Sequence, residues 1–240
     1  MAGQHEVVII GGGNAGVSLA ARLERYGVKD VALIEPKDHH LYQPLFSHIA
    51  GGRASAKEAV RTQESVTPNG VTWIRDSAVD VDANANTVTL ANGSTVAYGQ
   101  LVVCPGLQYD WDAVPGLAEA VHSPHGASHY EFELAPKAWT LLSGLTSGTA
   151  VFTMPAGPIK CGGASQKPMY LACDYWQEQG VLDKIRVVMV QLPHRLRRAG
   201  GGPGAGPQDR RVRDRALDQQ RTGLGGRRRP DGQHPQYRDR

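Results

Sequence analysis

Val7-Val8-Ile9-Ile10-Gly11-Gly12-Gly13-Asn14-Ala15-Gly16 decides the fold. Four apolar β-branched residues in a row read as a strand buried on both faces. Gly11, Gly13 and Gly16 then carry the spacing G-x-G-x-x-G, and a helical pattern runs through Val17, Leu19, Ala20, Ala21 and Leu23 to a stop at Gly27. A second apolar strand, Val31-Ala32-Leu33-Ile34, closes on Glu35, 19 residues after Gly16. Strand, glycine turn, helix and acid-terminated strand make a βαβ unit of dinucleotide-binding type. Gly11 permits the tight turn, Gly13 leaves the backbone open to a pyrophosphate, and Gly16 lets helix and strand approach closely. The helix N-terminus offers free N–H groups and partial positive charge to the phosphates. Glu35 is placed to accept hydrogen bonds from ribose hydroxyls and would repel a 2′-phosphate, so FAD or NAD fits and NADP does not.

Working outward, residues 1–191 read as α/β protein, with short Val/Ile/Leu runs between helical and turn segments. Val71–Val81 and Thr87–Leu90 read as strands. Ala91-Asn92-Gly93-Ser94 reads as a hairpin turn into a strand over Thr95–Tyr98. Leu101-Val102-Val103-Cys104-Pro105-Gly106 reads as a further apolar strand ending in a small-residue turn. A strand over Thr149–Thr153, a helix through Met169–Trp176 and a strand over Arg186–Val190 follow.

The chain has 240 residues, 40% of them hydrophobic, enough for one large domain or two small ones. Three cysteines form no disulfide framework. No apolar run approaches the roughly 20 residues of a membrane-spanning helix. The N-terminus lacks the basic segment of a secretory signal, so a reducing cytoplasm is the expected compartment. The net charge of +3 is unevenly spread: residues 192–240 hold 13 Arg and no Lys against five Asp, which leaves residues 1–191 net acidic. That tail is rich in Gly and Pro and too poor in apolar residues to fold. An Arg-only basic segment is what a GC-rich gene gives out of frame, and loss of the frame near Val190–Pro193 is expected. The competing reading is a disordered arm that binds nucleic acid or an acidic surface.

Four stretches together resemble the sulfide:quinone oxidoreductase family of FAD-dependent flavoproteins. They are Val8–Gly16; Asp38-His39-His40-Leu41-Tyr42-Gln43-Pro44-Leu45 with Gly51-Gly52; Leu101–Gly106 with Asp110-Trp111; and Pro155-Ala156-Gly157-Pro158-Ile159-Lys160-Cys161-Gly162-Gly163-Ala164. The resemblance spans about residues 6–190. It implies a Rossmann-like FAD-binding domain, parallel sheet plus β-meander, over 1–112. A connecting segment over 113–147, an incomplete second dinucleotide-binding-like domain over 148–191 and the disordered tail over 192–240 would follow. It assigns FAD contacts to Gly11, Gly12, Gly13, Asn14, Ala15, Gly16, Glu35, Gln43 and Gly106, and an adenine contact to the backbone near Val79. Cys161 matches the family's redox thiol, with Lys160 beside it as a cation favouring the thiolate. In the family that thiol works with a second cysteine far downstream, and electrons pass from sulfide through the flavin to a membrane quinone. The downstream cysteine and the membrane-dipping helices have no counterpart in the sequence. The chain is therefore expected to be inactive as written, aggregation-prone at an uncovered sheet edge, and attached to the inner face of the plasma membrane only in an intact parent.

Two rival functions follow from the same residues: a flavin-dependent NAD(P)H:quinone or disulfide-type reductase, and a non-catalytic nucleotide-binding module with a basic arm, nucleic acid being the less favoured partner. Cys104 and Cys173 read as packing residues. His39 and His40 lack further ligands at metal-binding spacing, so no metal is expected and their loop should pack on the flavin. Trp111, Trp139 and Trp176 read as core or interface aromatics.

Overall fold

The computed structural model describes residues 3–154 and 160–191. The expectations for 192–240, and the stretch 155–159, lie outside the described residues. A six-stranded sheet carries the first half of the chain. Its strands are β1 (Gly3–Ile10), β2 (Val31–Ile34), β5 (Val71–Ile74), β6 (Ala78–Asp82), β7 (Thr87–Leu90) and β8 (Thr95–Val103), in spatial order β5-β2-β1-β8-β7-β6. The first four of that order are mutually parallel, and β7 runs antiparallel to both of its neighbours, β8 and β6.

Period-two alternation splits β1 and β2 between two cores. Val7, Ile9, Val31 and Leu33 pack with Ala20 of helix α1 (Asn14–Arg25) on one face. Val8, Ala32 and Ile34 pack with Val88, Leu90 and Val96 on the other. Only residues 75–77 join β5 to β6, although these strands form the two edges of the sheet. Five inter-strand steps in a flat sheet span about 24 Å, and four residues of chain reach about 14 Å at most. The sheet must therefore curl until its edges approach, and the shared cluster containing Ile74 and Ala78 shows that it does.

Two strand expectations need correction. Val71–Val81 is not one strand. The chain turns at Asp76, whose carboxylate accepts from Ser77 N at 2.7 Å, so that one half can join each edge. Thr95–Tyr98 and Leu101–Val103 are not two strands but the single β8, which pairs with β7 through its first half and with β1 along its length. The meander itself forms as expected, with Gly93 at φ +83° and Leu90 N donating to Ser94 O.

A helical layer sits beyond the sheet. The two-stranded ladder of β3 (His39–Leu41) and β4 (Val60–Thr62) leads into it. There α2 (Phe46–Ala50) packs on α5 (Leu134–Gly144) through Phe46, Ile49 and Ala135. The short helices α3 (Gln63–Val66) and α4 (Leu117–His122) flank it. The last described elements are β9 (Gly148–Met154), α6 (Gln166–Glu178) and β10 (Ile185–Gln191). β9 and β10 pair in parallel, and α6 covers one face through Ala172 and the fully buried Trp176, whose Nε1 donates to Leu142 O. Val151 and Val190 stay more than half exposed on these strands. Cys173 packs beside Trp176, and Cys104 beside the α1 core.

Helix α1 lies very close on β1. A Cβ on Gly16 would stand 1.9 Å from Gly11 O, and Gly11 itself takes φ +100° with Cys104 O beneath it. Neither backbone carbonyl can move aside. Gly16→Ala is expected to destabilise the chain at or above the ~3 kcal/mol seen for overpacked cores, read as a lowered thermal midpoint by circular dichroism.

Candidate functional site

The first cluster lies at the C-terminal ends of β1 and β2. Gly13 caps α1 from an extended conformation, and its carbonyl accepts from Val17 N at 3.0 Å. A Cβ added at Gly13 would meet nothing within 4 Å, so the loop is open there, as the sequence requires of a pyrophosphate cradle. Glu35 ends β2 beside the loop, with Oε2 accepting from Gly12 N at 2.8 Å and Oε1 from Lys37 N at 2.9 Å. Each oxygen keeps a second acceptor site.

Val79 sits on β6 at a β-bulge. Ala78 pairs with Leu90 and Asp80 with Thr89, leaving Val79 without a partner in register. Bulges free backbone groups next to functional sites. Ala78 packs in the same cluster as Ile10 and Ile34, the residues that immediately precede Gly11 and Glu35. Gly106, at φ +77°, follows β8 in open space.

The second cluster surrounds Cys161. A cavity of about 150 Å³ is lined by Gln43, Tyr109, His129, Tyr130, Cys161 and Lys167. Lys160 also borders it, but the cation that reaches the thiol is Lys167, with Nζ 3.8 Å from Sγ. Lys160 contributes its carbonyl, which accepts from Tyr130 Oη at 2.6 Å. The geometry has a simple cause. Lys167 lies in the first turn of α6, and helical side chains lean toward the N-terminus, here toward the Cys161 loop. A lysine in a first turn opposes the helix dipole, and that unfavourable placement is the signal by which the sequence could have disclosed it. Cys161 is exposed and sits at φ +62°, a left-handed conformation rare for a residue with a Cβ. Such strain concentrates at functional sites.

His129 and Tyr130 were not singled out by sequence. His129 Nε2 is buried without a hydrogen-bond partner. Burial, then the charges of Lys160 and Lys167, push its pKa down to about 4. Burial first, and then a charge on Cys161, raise the phenol of Tyr130. The ring lies tilted against that of His129 at 4.9 Å and meets Tyr109 edge-on at 6.0 Å. The cavity is thus a cation-lined pocket around one thiol.

One short segment joins the clusters. His40 is buried against Gly12 and Asn14, and three residues on, Gln43 lines the thiol cavity. Three residues reach about 10 Å, so glycine loop and thiol lie within one cofactor's reach of this segment. His40 is fully engaged by the loop, and His39 is exposed.

The protein-family model described as "Pyridine nucleotide-disulphide oxidoreductase" matches residues 5–142. The mitochondrial sulfide:quinone oxidoreductase of Mus musculus is 35% identical over 185 residues, covering 77% of this chain and 41% of that protein. Its Dictyostelium discoideum counterpart is 36% identical, covering 76% and 41%. The chain thus spans about two fifths of these relatives' length. Among solved structures, the sulfide:quinone oxidoreductase of Aquifex aeolicus superposes with a TM-score of 0.67 at 22% identity, over 89% of this chain and 49% of that one, which shows a shared fold. No helix among the described residues is long and apolar enough to cross a membrane.

His129 yields a pH signature. Its folded pKa of about 4 lies below the ordinary 6.5. Between those values the unfolded chain binds the extra proton, so stability falls as pH drops from 6.5 toward 4 and is unaffected by this group above 6.5. His129→Gln is expected to flatten the decline of the thermal midpoint across that window.

Proposed function

This chain belongs to the pyridine nucleotide-disulphide oxidoreductase family, and within it we propose that the chain carries the FAD site and the sulfur-accepting thiol of a sulfide:quinone oxidoreductase. The observation that carries the reading is Cys161 on a cation-lined cavity, with Lys167 at 3.8 Å and with the His40–Gln43 segment joining the cavity to the glycine loop. The residues fit FAD. Gly13 is open to the diphosphate, Glu35 stands beside the loop for the ribose, and the bulge at Val79 leaves backbone groups for the adenine. Asn14, Ala15 and Gly16 begin α1, where N–H groups lack intrahelical acceptors. FAD, when bound, supplies a two-electron relay between sulfur and quinone.

The thiol region would hold sulfide near Cys161, with Lys160 and Lys167 attracting the anion and His129 staying neutral at physiological pH. Sulfide loses two electrons and its sulfur remains at the zero-valent level on protein sulfur. The quinone takes those electrons and two protons. A second protein sulfur is needed to cycle the thiol, and all three cysteines of the chain are free, with Cys104 and Cys173 packed in separate cores. The chain is therefore proposed to bind flavin and to react at Cys161 rather than at Cys104 or Cys173. Delivery of electrons to a membrane quinone makes a peripheral encounter with the cytoplasmic face of a membrane part of this proposal.

The test uses the full chain reconstituted with FAD. Flavin absorbance should co-elute with the protein, and iodoacetamide should label Cys161 ahead of Cys104 and Cys173. Lys167→Met should slow that labelling several-fold while leaving flavin content unchanged. A chain that retains no flavin, or that labels its three thiols equally, would overturn the reading.

A further inference from the structure

We propose that His40, assisted by Gln63, is a positioning residue that sets the Gly12–Gly13 peptide plane for binding a diphosphate. The inference deepens the flavin-site reading and rests on it.

Gly12 O has two buried donors. His40 Nδ1 lies 3.1 Å away and Gln63 Nε2 3.2 Å away, on residues 8% and 1% exposed. His40 is itself held from behind, its Nε2 standing 2.9 Å from the Asn14 side-chain amide. Gln63 is held by its place at the start of α3, with its backbone N donating to Asp38 O at 2.8 Å. The two donors come from β3 and α3, elements with no place in the glycine motif itself.

The consequence follows from peptide geometry. No described peptide bond is cis. In a planar trans unit the carbonyl of one residue and the N–H of the next point in opposite directions. Pinning Gly12 O into the protein therefore turns Gly13 N–H the other way, away from His40 and Gln63, on a residue whose added Cβ would meet nothing. Without the pins this plane would rotate readily, because it joins two residues lacking Cβ atoms. A flipped plane would present a carbonyl oxygen, and a carbonyl repels phosphate. Gly12 has no room for a side chain to do the same job: a Cβ there would come within 2.6 Å of Glu35 Cβ and 2.7 Å of Gln63 Nε2. Meanwhile Gly12 N–H is taken by Glu35 Oε2 at 2.8 Å. The loop is clamped at both ends of Gly12, and Gly13 N–H is left for the ligand.

The experiment compares ADP with adenosine by titration calorimetry on the full chain, since only ADP carries the diphosphate. Wild type is expected to bind both, ADP the more tightly. His40→Ala should weaken ADP by about tenfold or more, the cost of one charge-assisted hydrogen bond, and leave adenosine within about twofold. His40→Asn places an amide N–H near the position of Nδ1 and should restore most of the ADP affinity. Gln63→Leu should act in the same direction as His40→Ala, which keeps the test open if one variant fails to fold. Equal ADP binding by wild type, His40→Ala and Gln63→Leu sinks the proposal and leaves the flavin reading standing. Equal losses of ADP and adenosine reduce His40 to a general structural role and also sink it. A wild-type chain that binds neither ADP nor FAD overturns both.

Discussion

The contact between two glycines, Gly16 Cα against Gly11 O, is the constraint on which the rest depends. A side chain cannot enter that space. Because α1 comes this close to β1, its first turn opens at the C-terminal edge of the parallel strands, beside Glu35. Ligands of open α/β sheets bind at that edge. Everything that gives the loop a chemical purpose, from the open face at Gly13 to the carboxylate at Glu35, is arranged around the helix end fixed by this approach.

The same region shows how a remote segment is recruited. Residues 38–45 contribute no strand to the main sheet. They nonetheless supply His40 to the glycine loop and Gln43 to the thiol cavity. The loop's conformation and the position of the cavity are therefore mechanically linked through three residues of chain. Around Cys161 the balance is electrostatic. Two lysines border the cavity, and the neighbouring histidine is held neutral by burial and by those same charges. A neutral His129 leaves the pocket's positive charge to Lys160 and Lys167.

Much of this was legible in the residues. The run Val7–Ile10 with Gly11, Gly13 and Gly16 announced strand, turn and helix because burial and backbone sterics act locally there. The Ala91–Ser94 hairpin was legible for the same reason, as was the helix around Cys173 and Trp176. Less legible were elements whose limits depend on partners far away. Val71–Val81 reads as one β-rich run, yet it breaks at Asp76 because its halves belong to opposite edges of a curled sheet. Thr95–Val103 reads as two strands around Gly99, yet β1 pairs along its full length and keeps it continuous.

Sequence alone determined the βαβ unit and the acid at the end of its second strand, whereas Cys161 stood out only through the family resemblance. The first two follow from periodicity and from the conformational range of glycine. Only the tertiary structure decided which lysine reaches that thiol, that Val79 bulges out of its ladder, and that His40 and Gln63 converge on one carbonyl. Those facts depend on where separate elements cross in space. A side chain six residues away on a helix, or 51 residues away on another element, leaves no periodic trace in the chain.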